Sequence, residues 1–412
     1  MIKVKVDRLY EWIVALCVFM NGLGFVLYIA GVNVVNYLTV LAFAFIIMDL
    51  MRKNKSVSYF KYGNKWFIVF FFMFWVFYAC VQVIFTDINQ EYFSTGLHQL
   101  ITNAMFAFMV CYTVHDRRSF NTIRNAMTGV LAVNTLMGIF EILTGIHFVE
   151  AESIWDANTA RAFSNNPNEY ATTMYCAMMG VVLFSLQGKL KMEIKLLLTG
   201  SVICIVFSHS RGILYAVIIF VLAYCAMKVY YGFKGNGSFF KLLFAMAISL
   251  VCYIIVSGAL LEIINWLVDS FSGKGDYGSD LYRINLIRDG MKFFRESHGF
   301  GVGAGQSIYL VKMNLHNFLV EILVEYGILI FTGILFILWY IWRMAFEPCI
   351  SKNSRCIYFA FVPSLIMASI SSSSINKFKI FWIMIIMFYL SGYYLSDSKQ
   401  NIRQERNVYE AG

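Results

Sequence analysis

The side chains best suited to chemistry in this 412-residue chain are a few arginines and one histidine. Arg161 opens the run Arg161-Ala-Phe-Ser-Asn-Asn-Pro-Asn168, Arg211 lies in Ser208-His-Ser-Arg-Gly212, and His316 is followed at once by Asn317. The planar guanidinium fork binds phosphate oxygens bidentately. A histidine of ordinary pKa, about 6.5, suits general-base work at neutral pH. Each arginine alone reads equally well as a snorkelling side chain, and a lone interfacial histidine is usually structural. Their convergence from three separated segments on one face is the more specific feature.

Around His316 the pattern continues in both directions. Downstream, Asn317, Glu321 and Glu325 recur every four residues, a polar stripe on an apolar helix. Carboxylates inside a membrane normally face a bundle interior or a water-filled cavity. Upstream, Gly299-Phe-Gly-Val-Gly-Ala-Gly305 is a weak candidate for an anion-binding nest and reads better as a tight packed turn. Before it, the segment from Asp280 to Arg295 predicts an amphipathic helix with Leu281, Ile284, Ile287, Met291 and Phe294 on one face. On that wheel Arg288 and Arg295 project into the apolar arc, toward the bilayer or the bundle.

The elements that must position these residues are membrane helices. The chain is 59% hydrophobic and 14% charged, with a mean hydropathy of +0.66, against about 45–50% apolar and about 25% charged for soluble domains. Apolar blocks near 10–30, 33–51, 66–86, 95–114, 123–145, 168–188, 194–209, 212–231, 240–262, 316–341, 356–372 and 378–396 predict about twelve transmembrane helices. The first is longer than a signal-peptide core and lacks a small-residue cleavage site, so it is read as a true span. The fold class is therefore an all-α polytopic integral membrane protein, residues 1–412 forming one transmembrane domain. Its large extracytoplasmic loop, 263–315, starts with a Gly-rich hinge at Gly273, Gly275 and Gly278 and carries the amphipathic helix.

Twelve spans put both termini on one side, and that side holds 23 of the 33 lysines and arginines but 9 of the 24 acids. By the positive-inside rule it is cytoplasmic. The formal charge of +9 is thus a topology signal, and no nucleic-acid partner is predicted. Cytoplasmic connections of about fifteen residues or fewer cannot house a nucleotide-binding domain, which needs βαβ units of about thirty. No Walker, HExxH or kinase motif occurs. The nine cysteines show no metal-ligand pairing with histidine and none falls in an outer loop, so neither metal nor disulfide is expected.

At the segments quoted above, and at Arg283 and the Glu321–Gly327 stretch, the chain resembles the O-antigen polymerase and O-antigen ligase superfamily of bacterial membrane glycosyltransferases, over roughly residues 120–400. One departure is Ser297-His298, where the family often has Asn-Pro before the Gly-rich turn. The resemblance implies transfer of a glycan from an undecaprenyl-diphosphate-linked oligosaccharide, with no metal, nucleotide or other cofactor, at the outer face of the bacterial cytoplasmic membrane. It implies that Arg161, Arg211, Arg283 and Arg288 hold the pyrophosphate, that His316 deprotonates or orients the acceptor hydroxyl and that Asn317 positions it. A chain-length regulator and a flippase are the protein partners it implies.

In a polymerase the acceptor is a second lipid-linked repeat unit; in a ligase it is another anchor. The abundance of Lys, Ile, Asn and Phe, a habit of low-GC genomes, leans toward polymerase. A lipid-linked oligosaccharide flippase or other transporter is the competing class, with Glu321 and Glu325 its supporting features.

Overall fold

The computed structural model describes residues 2–23, 28–29, 32–53, 63–150, 159–164, 166–183, 186, 190–233, 278–370 and 378–392. Helices dominate these residues, and the exception is a small hairpin of β1 (Tyr28–Ile29) and β2 (Val32–Asn33) paired antiparallel. The helices are α1 (Ile2–Gly22), α2 (Val34–Lys53), α3 (Phe67–Gln82), α4 (Gln90–Thr113), α5 (Arg117–Thr144), α6 (Pro167–Val182), α7 (Met192–Phe207), α8 (Arg211–Phe233), α9 (Gly278–Glu296), α10 (Gln306–Val311), α11 (Phe318–Arg343), α12 (Lys352–Ala368) and α13 (Lys379–Gly392). They occupy eleven of the twelve predicted apolar segments; the ninth, 240–262, lies outside the described residues, as do Gly273 and Gly275. Among the described residues, four stretches are long and apolar enough to cross a bilayer: Val34–Met51, Arg117–Thr144, Arg211–Gly232 and Phe318–Phe346.

Short polar side chains set where helices begin. Asn89, Asp116, Asn166, Asn317 and Ser351 each accept a backbone N–H from the first turn of the helix that follows, supplying partners for donors that have none inside the helix. At α6 the cap is followed by Pro167, whose missing N–H costs nothing at that position.

Aromatic packing ties α3, α11 and α13 together. The Trp75 ring meets Tyr326 edge-on at 5.0 Å and Trp382 at 5.4 Å. Phe318, at the start of α11, meets Phe381 at 5.1 Å and Trp382 at 5.4 Å. On the other flank α12 runs antiparallel to α8. The Ser364 hydroxyl donates to Ala216 O (2.7 Å), and Tyr224 Oη donates to Asn353 Oδ1 (2.7 Å). Tyr175 of α6 shares a hydrogen bond of 2.7 Å with the same Ser364 hydroxyl, so α6 joins this pair.

The long helix α11 is broken at Gly327, whose φ of 72° and ψ of −175° lie outside helical space. In an unbroken helix Val324 O would accept the Ile328 N–H. Here Val324 O accepts Val302 N–H (2.9 Å), and Ile328 N–H donates to Gly299 O (3.0 Å). Glu325 O is likewise freed and accepts Gly303 N–H and the Gln82 amide, both at 2.9 Å. The Gly299–Gly305 run is therefore a strap laid across the break, exchanging hydrogen bonds with it. Glycine is required because backbone meets backbone: a Cβ on Gly301 would lie 2.5 Å from Glu325 O, and one on Gly327 would lie 2.4 Å from Gly299 O.

Gly327→Ala is expected to destabilise the protein by roughly 2–4 kcal/mol, summing left-handed strain and overlap. Gly145 has a similar φ of 71° but open space around it, so Gly145→Ala carries the strain alone, about 1–2 kcal/mol. Thermal unfolding of the solubilised variants compares them directly, and equal shifts would contradict the strap.

Candidate functional site

Arg161 is only 3% exposed, which excludes a freely snorkelling side chain. Its Nε donates to Val149 O (3.0 Å), and its carbonyl accepts the Ser164 N–H (2.8 Å). The main-chain N–H groups of Arg161 and Ala162 both donate to Glu141 Oε2, at 2.8 Å each. Beside them, Ala160 N–H donates to Phe207 O at the end of α7 (3.0 Å). The Arg161 segment is thereby fastened to the α7–α8 junction.

That junction takes only three residues, Ser208 to Ser210, with His209 in the left-handed region at φ 56°. Ser208 and Ser210 are buried, the Ser208 hydroxyl accepts the Ser210 N–H (3.3 Å), and Ser210 O receives the Leu214 N–H (3.0 Å) to open α8. Arg211 is the first residue of α8 and is exposed. A tight turn with two buried serines fixes the arginine's backbone, as the spacing predicts.

His316 is half-buried and also left-handed, at φ 51°. It turns the chain into α11, which Asn317 caps by accepting the Val320 N–H (3.1 Å). Phe318 N–H donates to Ser369 O just past α12 (2.9 Å). Register then relates His316 to Arg211. Ser364 pairs with Ala216, and five residues further along the two antiparallel helices stand Ser369 and Arg211, each about 7.5 Å beyond that bond at 1.5 Å per residue. The first turn of α6 starts near the same end, because α6 follows the Arg161 loop, which Ala160 N–H fastens to Phe207 O beside the Arg211 junction. Three segments thus meet at one end of the α6–α8–α12 group: the Arg161 loop, the Arg211 junction and the His316 turn.

The amphipathic helix forms as α9, its two wheel arginines take the outward of the two directions open to them, and the face that packs is not the most apolar one. The residues packed inward are Leu286, Gly290 and Phe293, with Arg283 half-buried in the same heptad-spaced line, whereas Ile284 is 42% exposed and Arg288 and Arg295 face outward. The cause is Gly290. A Cβ there would stand 2.9 Å from Leu315 and 3.3 Å from Val324, so α9 presses on the start of α11 at its glycine rather than along its most apolar arc. Of the apolar arc, Ile284 is left outward, Ile287 and Met291 are half-buried, and Phe294 packs beside Phe293 against the same small core. Arg283, which enters by family resemblance, is on the packed side; Arg288 is not.

Glu325 has a structural task that its spacing did not reveal. Buried to 2% exposure, its carboxylate accepts the Ser307 hydroxyl (2.6 Å), with the backbone N–H groups of Gly305 and Ser307 near enough to favour its charge. It caps α10 from another helix. Glu141 is the other carboxylate that the motifs missed, although a lone acid in an apolar helix is by default a functional candidate. Among the described residues no cluster of three or more His, Cys, Asp or Glu is gathered to hold a metal ion.

Glu325→Leu is expected to leave these donors orphaned, at about 1–3 kcal/mol each, and to cost far more than Ser307→Ala. Unfolding midpoints measure this, and a Glu325→Leu protein as stable as wild type would contradict the capping role.

Residues 196–335 match a family described as O-antigen ligase. This stretch holds Arg211, Arg283, His316 and the glycine strap; Arg161 and α12 lie outside it. The chain is also 28% identical over 139 residues to the teichuronic acid biosynthesis protein TuaE of Bacillus subtilis (strain 168). That alignment covers 30% of this chain and 28% of the relative's length. From α7 into α11 the chain is thus similar to the O-antigen ligase family, and the helices that carry this similarity include stretches long and apolar enough to cross a membrane.

Proposed function

We propose that the chain is a surface-polysaccharide polymerase: it transfers a glycan from an undecaprenyl-diphosphate carrier to a lipid-linked repeat unit on the outer face of the bacterial cytoplasmic membrane. The observation that carries this reading is the meeting of the Arg161 loop, the Arg211 junction and the His316 turn at one end of α6, α8 and α12. Positive-inside counting makes that end extracytoplasmic, with twelve spans and both termini in the cytoplasm.

In the reaction the acceptor hydroxyl attacks the anomeric carbon as the bond from that carbon to the carrier diphosphate breaks. His316 takes the hydroxyl proton. Arg161, Arg211 and Arg283 hold the diphosphate and stabilise the charge it gains on leaving. The donor's own glycosyl–diphosphate bond supplies the driving force, so the reading requires neither nucleotide nor metal. Arg288 stands apart, and Asn317 serves first as the cap that sets the His316 turn. A flippase delivering the donor and a chain-length regulator are the proposed partners.

A ligase differs only in its acceptor, and the description of the matched family favours it as the second reading. The transporter reading loses Glu325, whose oxygens are engaged in capping α10.

His316→Ala and Arg211→Ala, at membrane levels matched to wild type, are expected to lower transfer by about 10²-fold or more. The readout is the length distribution of the surface glycan. Collapse of the ladder to single repeats supports the polymerase, long chains stranded on the lipid carrier support the ligase, and an unchanged ladder in both variants would refute the site.

A further inference from the structure

Glu141 occupies a buried position that the motifs do not explain. Its side chain, in the last turn of α5, is fully buried and forms no ion pair with Lys or Arg among the described residues. One oxygen, Oε2, receives both main-chain N–H groups of Arg161 and Ala162 at 2.8 Å. The other, Oε1, faces His147 Nδ1 at 3.4 Å without forming a hydrogen bond. A buried carboxylate is costly unless hydrogen bonds compensate it, and here the compensation comes chiefly from the backbone of the arginine loop.

The loop it clamps is bent in a way that needs clamping. Ala162 has φ 46°, in the left-handed region that residues with a Cβ rarely adopt. Two charge-assisted hydrogen bonds to consecutive N–H groups hold that turn. Val149, whose carbonyl receives Arg161 Nε, follows two residues after His147, so both ends of the arginine are set from the outer end of α5.

We infer that Glu141 is a positioning residue for Arg161: its carboxylate fixes the arginine's backbone so that the guanidinium meets the diphosphate of the carrier lipid. It touches no substrate itself. The inference rests on the proposed function, which supplies the diphosphate. Its action is geometric, so an oxygen at the place of Oε2 is what matters, whereas the negative charge is secondary.

The test measures binding of undecaprenyl diphosphate to the full-length protein in nanodiscs, with unfolding midpoints recorded for every variant. Arg161→Ala is expected to weaken binding about 10- to 100-fold, and Glu141→Ala by about tenfold or more, as misplacement by an ångström does elsewhere. Glu141→Gln keeps an oxygen for both N–H groups and is expected to stay within about threefold of wild type. Glu141→Asp keeps the charge but withdraws the oxygens by one methylene, and is expected to behave like Glu141→Ala. The double variant is expected to bind no more weakly than Arg161→Ala alone, the signature of one residue acting through the other.

Additive losses in the double variant would overturn the inference. So would Glu141→Ala binding like wild type while Arg161→Ala does not, or Glu141→Asp binding normally while Glu141→Gln fails. If wild type and Arg161→Ala both fail to bind the lipid, the functional reading itself falls, and the inference falls with it.

Discussion

Everything at the candidate site depends on one backbone constraint: a membrane helix that is broken must have its freed amides and carbonyls satisfied inside the protein. Buried away from water, each orphaned group costs several kcal/mol. The break at Gly327 meets this constraint by exchange, with Val302 and Gly303 donating to the carbonyls of Val324 and Glu325 while Ile328 donates to Gly299. Gln82 adds a donor from α3, and Glu325's side chain caps α10. The glycine strap, the short helix and the first half of α11 are thereby one body.

That body carries His316. The histidine's left-handed backbone, the Asn317 cap and the Phe318–Ser369 hydrogen bond set the direction in which α11 leaves the turn. α12 transmits this position to α8, because Ser364 bonds both Ala216 and Tyr175. The Arg161 loop, fastened to Phe207 and to Glu141, completes the group from α5 and α7. The rigid parts are backbone-to-backbone and buried, while Arg211 remains exposed beside them. Such a division suits a site that must hold a phosphate-bearing lipid headgroup against a fixed base.

Composition and period alone disclosed the helical membrane class, since blocks of about twenty apolar residues leave no other economical structure. Local chemistry disclosed the ends of helices: Asn317 before an apolar run and Asn166-Pro167 are capping signals whatever the tertiary context. The face of α9 was not legible, because the deciding feature was a missing side chain. Gly290 permits close approach to Leu315 and Val324, and close approach outweighed the apolar arc of the wheel. Glu325 was legible as a buried acid, whereas its partners Gly305 and Ser307 became visible only through the break at Gly327. Glu141 carries no motif at all, and its meaning lies in backbone groups twenty and twenty-one residues away.

The proposed reaction consumes a diphosphate-linked glycan at this end of the molecule. The most direct measurement is purified protein in liposomes, given an undecaprenyl-diphosphate-linked repeat unit and no nucleotide or added metal. Longer lipid-linked glycans together with stoichiometric free undecaprenyl diphosphate are expected. Intact substrate with no diphosphate released, under conditions where the protein is folded and inserted, would contradict the proposed reaction.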